Sequence, residues 1–434
     1  MLALVAGVGV ALGSIVAFSA TGEAAVACSS VTWTEGPTYT VGQQVTYQSK
    51  LYQALVTHTA YVGTGWNPAA TPTLWKDLGA CTGGGTPTPS VTTSKTPTPS
   101  PTVSTPTPTP TTSTPPPTGC ATRGRPAGKV LQGYWENWDG ASNGVHPGLG
   151  WIPINDSRIT QHGYNVLMAA FPVIRSDGTV LWENGMDAGV KVPTAAEICA
   201  AKAQGATILM SIGGAAAGID LSSSTVADRF VSTIVPILKA NNFDGIDIDI
   251  ETGLSGSGSI NTLSASQSNL IRIIDGVLAA MPSNFGLTMA PETAYVTGGS
   301  VTYGSIWGSY LPIIKKYLDN GRLWWLNMQY YNGSMYGCSG DSYSAGTVQG
   351  FTVQTQCLNN GLTIQGTTIR IPYDKQVPGL PAQSGAGGGY MAPSLVSQAY
   401  NSVPSIKGLM TWSINWDGSK SWTFGDNVKA LQGR

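Results

Sequence analysis

At 434 residues the chain is long enough for one large domain plus a small one; only 10% of it is charged and the net charge is −1. Such a balance gives no footing to nucleic acid or an anionic membrane, so neither is expected as a partner. Thirteen Trp and 17 Tyr point instead to a neutral polymer with stackable faces, and the three His (His58, His146, His162) lack metal-ligand spacing, so no metal is expected. Residues 2–18 are an apolar run, short for a membrane span, that leads into Ala25-Val26-Ala27, a small-residue cleavage pattern. Residues 1–27 are therefore expected to be a signal peptide cut before Cys28, leaving a secreted protein with no membrane attachment. Export permits disulfides, and the six Cys are an even set.

Residues 28–82 are dense in aromatics: Trp33, Tyr39, Tyr47, Tyr52, Tyr61, Trp66 and Trp75. Residues 39–47 and 50–54 read as two short strands with a Gly-bearing turn. About fifty residues cannot bury a sizeable core, which makes a Cys28–Cys81 staple reasonable. Tyr39-x-x-Gly42-x-x-Val45, Tyr52-x-Ala54, and Gly65-Trp66-x-Pro68 through Leu74-Trp75 resemble the small all-β chitin-binding modules of carbohydrate-binding families 5 and 12. Many relatives carry an adjacent aromatic pair after Tyr-x-Ala. Here that place holds Leu55, Val56 and Thr57, which moves the expected binding rings to Trp66 and Tyr61 and leaves Trp33 and Trp75 as core. Residues 83–119 are Thr/Pro-rich and nearly uncharged, a linker in extended conformations that reaches roughly 100 Å at about 3.1 Å per residue.

From residue 120 to 434, strand patterns alternate with helical ones. The expected strands are 130–135, 165–173, 207–213, 243–251, 286–292, 324–332, 376–381 and 408–416, with 368–372 competing for the seventh place. The expected helices are 195–204, 226–240, 266–281, 306–318, 348–359 and 393–402. Eight such strands predict an α/β fold, a (β/α)8 TIM barrel with its cleft at the strand C-terminal ends. Cys338 and Cys357, in the loop and helix after the sixth strand, are paired, which leaves Cys120 with Cys199.

The fourth strand is the chemical centre. In Phe243-Asp-Gly-Ile-Asp-Ile-Asp-Ile-Glu251, Ile246, Ile248 and Ile250 alternate with Asp247, Asp249 and Glu251, so one face carries three carboxyls. Like charges this close cannot all ionise, and their proton affinities spread apart, which lets one serve as acid while a neighbour stays anionic. Glycoside hydrolysis needs that division of labour. Asp-Gly-x-Asp-x-Asp-x-Glu resembles the signature of family 18 glycoside hydrolases, the chitinases. Ser211-Ile-Gly-Gly214, one βα unit earlier, resembles the family's Ser-x-Gly-Gly.

The resemblance implies substrate-assisted retention without metal or organic cofactor. Glu251 would be the acid, Asp249 would orient the substrate acetamido group, and Asp247 would share a proton with Asp249. Ser211 would bond Asp247, Trp412 would floor the site, and Tyr134 would be a second wall. Met289 is a further expected substrate contact, and Glu292, after Met289-Ala-Pro291, is either a binding carboxylate or an exposed rim residue; Asp244, on the other parity, positions the strand. After strand six the family's Met-x-Tyr-Asp fits poorly, whereas Gln329-Tyr330-Tyr331-Asn332 resembles the branch without an α+β insertion, as does the short span from Pro381 to Ile406. In that register Gln329, Tyr331 and Asn332 face inward and Tyr330 packs outward. The implied protein is an endo-acting chitinase, a monomer by default, acting on chitin and N-acetylglucosamine oligosaccharides. An endo-β-N-acetylglucosaminidase on N-glycans and a non-catalytic chitin lectin are the alternatives.

Overall fold

The computed structural model describes residues 26–27, 31–34, 37–55, 58–60, 67–69, 74–82, 119–142, 144–215 and 218–434. Residues 1–25 of the expected signal peptide, Cys28, Tyr61, Trp66 and residues 83–118 of the expected linker lie outside the described residues. Two compact units divide the chain, one within residues 1–110 and the other within 111–434.

In the first unit Gln44–Tyr47, Lys50–Ala54 and Trp75–Thr82 form an antiparallel sheet, and Val26–Ala27 runs parallel to the end of the last strand. The two expected strands are present, but Gly42 precedes them and does not make their turn. The register Tyr47↔Lys50 leaves Gln48 and Ser49 as a two-residue loop, both at positive φ (46° and 61°), the conformation that follows the strand twist in tight hairpins. Strand alternation then sets Val45, Tyr52 and Ala54 on one buried face with Tyr39, Ala60 and Trp75. Tyr39 meets Trp75 edge-on at 5.0 Å, and Trp33 packs on Tyr47 at 5.1 Å. Cys81 is disulfide-bonded.

The second unit runs through eight parallel strands: Val130–Glu136 (β1), Val166–Ala170 (β2), Thr207–Gly213 (β3), Gly245–Asp249 (β4), Gly286–Met289 (β5), Trp325–Leu326 (β6), Gly379–Pro381 (β7) and Gly408–Trp412 (β8). Strands β1 to β6 pair in chain order, β8 pairs with both β7 and β1, and the parallel bridges Leu326↔Gln376 and Gln329↔Gly379 join β6 to β7. The ring closes as a (β/α)8 barrel. Its helices are Ser157–Gln161 (α1), Ala195–Ala203 (α2), Ser224–Ala240 (α3), Ala265–Ala280 (α4), Leu311–Asp319 (α5), Val348–Asn360 (α6), Pro393–Ser402 (α7), Ile414–Gly418 (α8) and Thr423–Leu431 (α9).

Strands buried on both faces sort their side chains into two apolar layers. Val130, Tyr134, Val166, Met168, Leu209, Trp325 and Met410 fill the barrel. Leu131, Leu167, Ile208, Ile246, Ile248 and Leu287 meet the helices. The acidic face of β4 is thus the lumen face, and Asp247 and Asp249 sit inside the ring.

Where elements differ from expectation, a local signal decides. The helix expected from residue 306 starts at Leu311, because Gly308 turns at φ 73° and Pro312 favours the first helical turn. The last strand stops at Trp412, since the Ser413 hydroxyl caps α8 by accepting from the Trp416 N–H. Thr367–Ile369 folds back on Leu362–Ile364 as a hairpin and so leaves the seventh place to Gly379–Pro381. Disulfides link Cys120 with Cys199 and Cys338 with Cys357, at Cα separations of 5.6 and 5.2 Å. Asp244, fully buried at the foot of β4, accepts from the Arg123 and Ile208 N–H groups and pairs with Lys202 at 2.6 Å. It fastens the entering chain and β3 to β4.

Candidate active site

Asp247 is the most completely held group in the barrel. One carboxylate oxygen accepts from the Tyr134 and Ser211 hydroxyls, both at 2.7 Å; the other accepts from the Thr288 hydroxyl at 2.6 Å and the Asn327 amide at 3.1 Å. Burial pushes its proton affinity up, while these four donors pull it down by favouring the anion.

Asp249 lies one strand step further and is 3% exposed. Burial first, then the charges of Glu251 and Asp247, hold its carboxyl well above the ordinary range. Glu251, just beyond the end of β4, is half-buried, and desolvation raises it too, helped by Glu292 and opposed by Gln329. The two carboxyls are joined by one amide: Gln329 Nε2 reaches Asp249 at 3.0 Å, Glu251 at 2.9 Å and the Ala290 carbonyl at 3.1 Å. Three acceptors therefore face a group with two hydrogens.

The backbone that carries Glu251 is clamped from α5 and the loop after β5. The Tyr310 hydroxyl accepts from the Ile250 N–H at 3.0 Å and donates to the Ile250 carbonyl at 2.8 Å; the Tyr295 hydroxyl donates to the Glu251 carbonyl. Gly213 allows β3 to approach, since a Cβ there (φ 108°) would lie 2.1 Å from the Asp249 carbonyl oxygen. Gly214 N–H donates to that oxygen at 2.6 Å.

Tyr331 belongs to the lumen cluster at 6% exposure, with Asp249, Glu251 and Glu292 close enough to raise its proton affinity after burial. Its hydroxyl has no hydrogen-bond partner among the described residues. Tyr330 takes the opposite parity, bonds Thr355 at 3.1 Å and packs on Phe351 of α6. Trp412, half-buried at the end of β8, lies among Tyr134 (5.4 Å), Trp138 (6.1 Å) and Phe171 (6.0 Å, near-parallel). Glu292 is half-buried, close enough to Glu251 and Tyr331 to raise their proton affinities, and its own carboxyl is raised by burial.

Three expected substrate contacts sit elsewhere. Tyr134 is 1% exposed and its hydroxyl is taken by Asp247, so it supports that carboxylate and walls nothing. Ser211, expected to bond Asp247, is fully buried and donates to it. Met289 falls on the helix-facing parity of β5, paired in register with Ile248, and is buried in the outer layer. Asn332 leaves the strand at φ 60° and exchanges hydrogen bonds with the Gly388 backbone, its Oδ1 accepting at 2.7 Å. Sequence reasoning missed Thr288, Asn327, Phe171 and Trp138; period-two alternation from Glu292 and Tyr331 would have aimed the first two inward.

The profile "Glycosyl hydrolases family 18" matches residues 130–334, and "Carbohydrate-binding module family 5/12" matches residues 32–76. Endochitinase 37 of Trichoderma harzianum is 82% identical over 309 residues, 71% of this chain and 92% of that protein. The chain belongs to glycoside hydrolase family 18. Endochitinase 4 of Metarhizium robertsii is 80% identical over 311 residues, 71% of this chain and 90% of that one. Among solved structures, a family 18 chitinase from Chromobacterium violaceum superposes with a TM-score of 0.62 at 30% identity, covering 94% of this chain and all of that one. In family 18 terms, the acidic strand is β4 and the residue at its end is Glu251.

Proposed function

We propose that the chain is a secreted, endo-acting chitinase that cleaves β-1,4 bonds between N-acetylglucosamine units with retention, the substrate supplying the nucleophile. The observation that carries this reading is the Asp249–Gln329–Glu251 junction close to the Tyr331 hydroxyl. Glu251, raised by burial, protonates the glycosidic oxygen as the bond breaks. The 2-acetamido carbonyl oxygen attacks the anomeric carbon, giving an oxazolinium ion and releasing the aglycone. Asp249 accepts the acetamido N–H and offsets the developing positive charge, while Tyr331 donates to the acetamido oxygen and Trp412 floors the sugar. Water, deprotonated by Glu251, then opens the ion from the face the aglycone left. Two inversions return the β configuration. Anomer-resolved NMR of the first products should show β; an α product excludes this scheme.

The short span between β7 and β8 supports endo cleavage. Between β7 and β8 the chain holds only a Gly-rich turn and α7, too little for an extra wall. Of the alternatives, a lectin would have no use for an acid held at Glu251, and an N-glycan hydrolase would gain nothing from a chitin-binding module. We read residues 28–82 as that module, bound through Trp66 and Tyr61, residues 83–119 as its tether and 120–434 as the catalytic domain. A tether raises local enzyme concentration at an insoluble surface. Deleting residues 28–118 should leave hydrolysis of soluble oligosaccharides unchanged and lower that of crystalline chitin several-fold. Equal loss on both substrates would mean the module supports the barrel's fold.

A further inference from the structure

One buried titratable cluster has no part in the mechanism above. Glu136, the last residue of β1, and His146 are both fully buried, with Glu136 Oε2 2.9 Å from His146 Nε2. The same imidazole nitrogen accepts from the Gly140 N–H at 3.1 Å. Gly140 is the residue this contact requires, because a Cβ there would lie 2.3 Å from Nε2. The other carboxylate oxygen of Glu136 accepts from the Ser413 hydroxyl, and the Glu136 N–H donates to Asn415 Oδ1 at 2.9 Å. Glu136 Oε2, His146 Nδ1 and Asn415 Nδ2 are buried with no hydrogen-bond partner among the described residues.

The position of this cluster gives it meaning. Ser413 follows Trp412 directly, so Glu136 holds the residue adjoining the floor ring. Gly140 and His146 belong to the loop after β1, which also carries Trp138, whose ring lies 6.1 Å from Trp412. Burying a carboxylate and an imidazole costs several kcal/mol, so placing both beneath the surface next to the floor ring needs a reason beyond packing. An indole ring without side-chain hydrogen bonds to fix its tilt must take its orientation from its backbone and from neighbouring rings.

We propose that Glu136 and His146 are positioning residues for the reaction: through Ser413 on one side and the Gly140 loop on the other, they fix Trp412 and Trp138 as a two-ring floor for the sugar at the cleavage point. This rests on the reading of Trp412 as that floor, and the test separates the two. It uses the full chain and a chitin tetrasaccharide, with kcat, KM and Tm measured for Glu136→Leu, Glu136→Gln, Trp412→Ala and the double variant Glu136→Leu/Trp412→Ala. Glu136→Leu should lower kcat about tenfold or more with KM moving less than about twofold, because a displaced floor is felt where the ring is distorted. Glu136→Gln keeps an oxygen for Ser413 and should recover kcat to within about threefold of wild type. In the double variant the Glu136 effect should vanish, since the ring it positions is gone.

If Trp412→Ala leaves kcat unchanged, the floor reading fails and the proposal with it. If Trp412→Ala is slow but the two effects multiply, or Glu136→Leu lowers only Tm, the floor stands and the proposal is overturned. Should Glu136→Leu not fold, Ser413→Ala replaces it in the same cycle, with the same overlap expected and independent effects overturning the idea.

Discussion

Glu251→Gln should leave the barrel folded and remove nearly all hydrolysis, a fall of about 10²–10⁴ in kcat, or roughly 2.7–5.4 kcal/mol of barrier. The substitution keeps shape and an oxygen for the Gln329 amide, now 2.9 Å from Glu251, so neither packing nor the junction with Asp249 is disturbed. What disappears is the proton. Because burial raises the Glu251 carboxyl, the protonated form persists to higher pH than an exposed glutamate would allow, and activity should decline on the alkaline side as this group empties. The charge of Glu251 also helps to raise Asp249, so its removal should bring Asp249 down toward the ordinary carboxyl range. Steady-state rates on a chitin tetrasaccharide across pH, with circular dichroism for the fold, check both statements. A Gln variant retaining more than about a tenth of the wild-type rate would assign the acid to another group.

The adjacent tyrosines give the second large effect, and opposite ones. Tyr331→Phe should cut kcat by roughly 2.7–4 kcal/mol of barrier, as for a lost oxyanion-hole donor, with Tm unchanged because its hydroxyl bonds nothing among the described residues. Tyr330→Phe should leave kcat near wild type and cost about 1 kcal/mol of stability, since its buried hydroxyl pairs with Thr355. The Thr355 hydroxyl still donates to the Phe351 carbonyl at 2.7 Å, which limits that cost. Measuring kcat and Tm for both variants decides the register; the reverse order in kcat would place the acetamido contact on Tyr330.

That register was legible because parity is a strong constraint: once Gln329 faces the lumen, Tyr331 must and Tyr330 cannot. The same rule, not applied to β5, misplaced Met289, whose neighbours Thr288 and Ala290 face inward while it faces the helices. The carboxyl strand announced itself through residue types that strands otherwise avoid. Thr288 and Asn327 did not, since uncharged polar residues on a strand look ordinary until a buried carboxylate is set between them. Tyr310 and Tyr295 were harder still. They reach the Ile250–Glu251 backbone from a helix start and a 3-10 turn some forty to sixty residues away, and no local pattern encodes that reach.

Among the described residues, the Gln329 amide has one hydrogen fewer than the acceptors around it. Any two of Asp249, Glu251 and the Ala290 carbonyl can be served well at once, and the third waits. A sugar bearing an N–H brings the missing donor. It can pair with Asp249 without tearing a bond from the protein, while Gln329 settles on Glu251 and Ala290. A sugar with a hydroxyl at that carbon could supply a donor too, but it has no acetamido oxygen for Tyr331. On the proposed reading, the acetamido group therefore completes the hydrogen bonding around Gln329, and that requirement discriminates among sugars.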